Sequence, residues 1–248
     1  MCIFTRAVEH VSDTSIFARM DGARQYLIYD MRMTSSEDTA MTLPIPVAPG
    51  AREDAVRFIA LDEYKDFFQD MRAGFPVATR LTRNAVPTRS RGPALEVQTV
   101  GAFEASFVPG LADFERLDPR FRLPTETWTR LGRYQDFGFV VFKLRAGKAL
   151  QVHPMAFSFP TRDPEQLFFP TVHVHDGKIH GEAEFDHGLY YQAENGGRPK
   201  FSNVLKSEKP AQQFLRVERT GGAVRGDLPC HRIELRGVHK NLDTHVKL

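Results

Sequence analysis

The sequence predicts an α+β fold dominated by antiparallel β-sheet, sandwich-like, with one well-defined packed helix and one or two short ones. Three observations predict it. Short runs of alternating apolar and polar residues recur along the chain, separated by Gly, Pro, Asn and Asp turns rather than by repeated crossover helices. Only residues 62–73 carry a long apolar stripe at helical spacing. Residues 168–192 place Asp176-Gly177 between two alternating flanks, the composition of a tight hairpin turn.

Composition sets the bounds. The chain has 248 residues, 42% of them hydrophobic, which is enough for a large core and predicts one globular domain over 1–248. A net charge of +2 makes no demand for nucleic acid or an acidic membrane as partner. Two cysteines, Cys2 and Cys230, do not make a disulfide framework. Arg6, Glu9, Asp13 and Arg19 interrupt the opening residues, and the longest apolar run, FGFVVF, is too short to span a bilayer. A soluble, cytoplasmic chain is the expectation.

In chain order, CIFTRAV from Cys2 and the run ending IFARMD at Asp21 read as strands, as does QYLIYDMRM at 25–33. At 40–47, Pro44 and Pro46 remove donors from one edge of a strand, so this strand is expected at a boundary. Residues 56–61 form a short strand. In 62–73, Leu61, Tyr64, Phe67, Phe68 and Met71 share one face, with Asp62 as cap and Gly74 and Pro76 as the stop. Residues 76–93 hold Arg80, Arg83, Arg89 and Arg91 with three prolines and read as a loop or linker. Strand-like alternation resumes at 95–108, a short helix is expected at 111–117, and Thr125 is placed to cap a turn carrying Trp128. Strands follow at 137–144 and 150–159, and the alternation of CHRIELRG at 230–237 reads as a half-buried closing strand.

The candidate site lies in the hairpin. With Asp176-Gly177 at the turn, His173 faces His180 and Thr171 faces Glu182, and cross-strand partners share a side of the sheet. His173, His175, His180 and Glu182 then converge on one face. Imidazoles and a carboxylate so arranged suit a divalent transition metal, zinc or iron, and a metal-dependent hydrolase or oxygenase acting on a small molecule. His187 falls beside Phe185 and reads as a hydrogen-bonded core histidine. No Gly-rich phosphate loop and no basic patch interleaved with aromatics is present.

Cys2, exposed as the first residue on removal of the initiator Met, would carry its own amine as a base. The opening from Cys2 to Arg19 and Asp21 resembles the start of N-terminal-nucleophile hydrolases of the penicillin V acylase and bile acid hydrolase type. The resemblance covers only this opening. It implies a nucleophilic thiol at Cys2, with Arg19 and Asp21 positioning the amine and substrate of an amidohydrolase. A third alternative is a non-catalytic binding or scaffold protein, with the polar hairpin a solvated surface.

Overall fold

A computed structural model of the protein describes residues 3–76, 104–119, 122, 132–175 and 179–248. In chain order the elements are β1 (Ile3–Phe4), β2 (His10–Asp21), β3 (Arg24–Ser35), β4 (Thr39–Ile45), β5 (Arg57–Ile59), α1 (Phe67–Ala73) and β6 (Glu104–Val108). They continue with β7 (Gly138–Leu144), β8 (Gly147–Pro160), β9 (Gln166–Phe169) and β10 (Glu182–Gln192). The chain ends with β11 (Arg198–Pro199), β12 (Leu205–Pro210), β13 (Pro229–Lys240) and β14 (Thr244–Lys247).

The largest sheet has seven strands in the order β12-β13-β10-β2-β3-β8-β5. Its neighbours are antiparallel except β10 and β2, which run parallel at its centre. A four-stranded sheet, β1-β4-β7-β6, supplies the opposite wall of the main core. Ile16, Tyr29, Phe157 and Leu189 from the large sheet meet Leu43, Val140 and Phe142 from the smaller one. A third sheet, β11-β14-β9, joins residues far apart in sequence. The other face of the large sheet is covered by α1, whose Phe67, Phe68 and Met71 pack with Phe17, Ile28 and Tyr190.

Pro44 of β4 is accommodated by geometry. All seven residues of β4 pair with β7, whereas β1 pairs only with Met41 and Thr42 and stops short of Pro44. Among the described residues the edge at Pro44 thus has no partner opposite β7, in keeping with the proline chemistry.

The expected α+β class is corrected to a mainly-β fold. The helix expected over 62–73 is only Phe67–Ala73, and its cap position is taken by Asp66 instead of Asp62. Leu61 and Tyr64 instead accept successive single-turn bonds from the amides of Tyr64 and Phe67, so the chain enters the helix late. The apolar stripe still does its packing, since Leu61, Tyr64, Phe67, Phe68 and Met71 are all buried. Gly74 follows because the Phe214 ring occupies the space a Cβ would need, 2.5 Å from its ideal position. The short helix expected at 111–117 is a 3-10 turn, Leu111–Arg116, with the backbone too short to settle into α geometry. The Thr125 turn and most of 76–93 lie outside the described residues.

Candidate functional site

The expected hairpin does not zip. Its Asp176-Gly177 turn lies outside the described residues, but both arms are described, and they take different partners. Residues 171–175 run as an extended segment whose one bridge, at Val174, is to Ile3. Glu182 opens β10 and pairs with Lys240 of β13, so the ladder runs 182–191 against 240–231. Asn241 closes the gap between the two arms. Its Oδ1 accepts from the His173 amide at 2.6 Å, and its Nδ2 donates to the carbonyls of His173 at 2.8 Å and His180 at 3.0 Å. One amide side chain thereby satisfies backbone groups that a hairpin ladder would have paired.

Imidazoles do gather here, though not the expected set. The His173 ring lies 5.2 Å from that of His175, 5.1 Å from that of His187 and 4.2 Å from Phe185, centroid to centroid. His187 is buried beside Phe185, as the sequence suggests, but neither of its ring nitrogens has a hydrogen-bond partner. Nε2 of His173 is likewise buried and unpartnered. Burial, and secondarily the neighbouring positive groups, push His173 down to about 2 and hold His187 well below the ordinary imidazole range. Both rings are therefore neutral at physiological pH.

The metal centre expected at His173, His175, His180 and Glu182 is not assembled. His180 and Glu182 are exposed, while His173 turns toward Phe185 and His187. Among the described residues no group of three or more His, Cys, Asp or Glu side chains is placed to hold a metal ion. The metal-binding hydrolase expected from those ligands falls with them. The physical cause is partner choice. The local register would have set His173 directly opposite His180, but the Asn241 side chain stands between the two arms and bonds the backbone of both.

Cys2 lies outside the described residues. Arg19 is buried with a structural task. Its guanidinium donates to the carbonyls of Ala223 at 2.8 Å and Gly222 at 2.6 Å, and stacks 4.7 Å from the Tyr26 ring centroid. Asp21 is 3.5 Å from that guanidinium and serves the same clamp. Cys230 is buried, and burial pushes its thiol up to about 12, so it is inert at neutral pH.

A cavity of about 620 Å³ opens beside the imidazoles. One wall is residues 8–12 and the other is the start of β10, with His173, His175 and His180 between them. Its origin is a parting of strands. β2 and β10 pair from Thr14–His187 to Arg19–Gln192 and no further toward the start of either strand. At the point of parting, Asp13 has left-handed backbone geometry (φ 52°), and the β2–β3 register slips between Ser12 and Ser15. Such conformations are uncommon for a residue with a side chain and mark a bulge. Sequence offered no signal for Asp13 or Asn241, because Asp13 meets Asp186 of β10 and Asn241 meets the 171–180 segment, both far off along the chain.

No protein-family profile matches the chain. In architecture it is similar to baculovirus P35, with a TM-score of 0.51 at 13% identity, covering 99% of each chain. A mutated baculovirus P35 after caspase cleavage aligns over 95% of this chain and 99% of that one, at 12% identity and a TM-score of 0.47. P35 in the caspase-8/P35 complex aligns over 95% and 96%, at 12% identity and a TM-score of 0.44. At these identities the likeness is one of fold. Among the described residues no helix is long and apolar enough to cross a membrane.

Proposed function

We propose that this chain is a non-catalytic protein that engages a partner protein, and that the partner is a protease. The observation that carries this reading is the fold shared with baculovirus P35 along the full length of both chains. P35 is a protein cleaved by a caspase and found in complex with caspase-8. Fold likeness is an analogy, and sites decide function. The described side chains agree with it: the Cys230 thiol is inert, Arg19 is spent on backbone carbonyls, and the buried imidazoles are locked neutral.

The sequence also bears on which protease. Residues 76–93 hold four arginines and no aspartate or glutamate. Linker-like sequence is where proteases act, and this one offers side chains to a protease that reads basic residues. The test is to mix the purified full chain with cysteine proteases of basic and of acidic specificity. Residual activity on small peptide substrates is then measured, and the mixture is passed over a sizing column. Loss of activity near equimolar ratio, with co-elution, is expected for a basic-specific enzyme. Unchanged activity across the panel, with the chain eluting alone, would overturn the proposal.

A further inference from the structure

We propose that the groove between the parted ends of β2 and β10 receives an extended segment of a partner protein that carries basic side chains. This rests on the reading of the chain as a protein-engaging molecule and adds where one segment of the partner sits.

The backbone supplies the first argument. On one side of the groove, His10, Val11 and Ser12 are bonded to Thr34, Met33 and Arg32 of β3. On the other, Glu182 to Asp186 are bonded to Lys240 to Arg236 of β13. Each strand turns its second edge to the space between, where neither finds a ladder partner among the described residues. An unpaired strand edge presents a row of N–H and C=O groups that an incoming extended chain can satisfy. Here two such edges flank one cavity of about 620 Å³, within the size range of sites that hold small ligands and short peptides. The parting is built in. The left-handed Asp13 and the register slip beside it end the β2–β10 ladder at a fixed place.

Charge supplies the second argument. Among the described residues the groove is lined by Glu9, Glu182, Glu184 and Asp186 and by no lysine or arginine. Asp186 is matched by Arg236 at 3.0 Å, whereas Glu9, Glu182 and Glu184 stand exposed along the rim. The imidazoles of His173 and His187, behind this rim, add no positive charge. Phe185, buried against both rings, backs this wall. The exposed carboxylates suit a basic side chain, and arginine most of all, because its planar cation donates several bonds in a fixed fork.

The test uses the full chain and three labelled, blocked peptides read by fluorescence anisotropy. They are Arg-Val-Arg-Val-Arg, Glu-Val-Glu-Val-Glu, and Arg-Pro-Arg-Pro-Arg, which keeps the charge but lacks donors at the prolines. Saturable binding of the first, with little or none of the other two, is expected. The exposed pair Glu182→Gln and Glu184→Gln, combined, is expected to weaken it about fivefold, in keeping with two rim charges at a few tenths to one kcal/mol each. No binding of Arg-Val-Arg-Val-Arg, equal binding of the proline peptide, or indifference to the double variant would each overturn the proposal. A chain that is dimeric alone and is split by the peptide would assign the groove to a second copy and overturn the partner. Peptide failure with an intact protease complex removes only the groove; peptide binding with no protease complex removes only the protease.

Discussion

The side-chain amide of Asn241 brackets the backbone of His173, accepting its N–H at 2.6 Å and donating to its carbonyl at 2.8 Å. That one residue, reaching from just beyond β13, keeps the 171–175 segment against the start of β10 without a ladder between them. It also fixes where the His173 ring points, and so the floor of the groove.

Replacing Asn241 with Ala is expected to destabilise the fold by about 2 kcal/mol, since three part-buried backbone groups lose their partner. Urea unfolding measures the loss, and hydrogen exchange should show the His173 amide opening before the β10–β13 ladder does. A variant as stable as the parent, with that amide still protected, would show that the bracket is not what holds the segment.

His187 carries two buried nitrogens without partners, each a desolvation penalty with no bond to offset it. His187→Phe keeps an aromatic ring, somewhat larger than imidazole, and removes both nitrogens. It is expected to stabilise the protein at pH 7 by about 1–2 kcal/mol, read from the urea midpoint. Destabilisation of similar size would mean that a bound water satisfies the ring.

Acid sensitivity follows from the same rings. His173 and His187 are held below their ordinary value of 6.5, so below that pH the unfolded chain binds protons that the folded chain refuses. Their contribution is fully present above pH 6.5 and is lost as pH falls toward the folded values. The loss is at most about 1.4 kcal/mol per pH unit for each ring. Thermal melts between pH 7 and pH 4 should show this slope, and His187→Phe should make it shallower. A slope unchanged in that variant would exclude His187 as a contributor.

Arg19→Lys tests the buried clamp. The lysine keeps the charge but cannot bridge the Gly222 and Ala223 carbonyls in the same plane. A loss of about 2 kcal/mol is expected in urea unfolding. The protease complex should survive, because Arg19 is spent on the fold. Loss of the complex in a stably folded variant would give Arg19 a part in engagement.

Much of the strand content was legible because it is local. The IFARMD and QYLIYDMRM runs became β2 and β3, whereas β4, expected at a boundary because of its prolines, lies between β1 and β7. Partner choice was not legible. CHRIELRG reads as a closing strand, yet β13 lies between β10 and β12, because pairing across some 50 residues leaves no local mark. The His-x-His spacing did bring His173 and His175 together, and His187 sits beside Phe185 as the alternation implies. The step that failed was the pairing of the two arms: 171–175 and 179–182 are joined through the Asn241 side chain and not by a ladder, a partner 68 residues from His173 that no local pattern announces.

The most direct measurement of the central claim is native mass spectrometry of the full chain mixed at equal concentration with a cysteine protease of basic specificity. A single species at the summed mass, persisting while the protease is silent toward its peptide substrate, is the expected result. Separate masses from a fully active protease, or a chain simply degraded to fragments, would contradict the account.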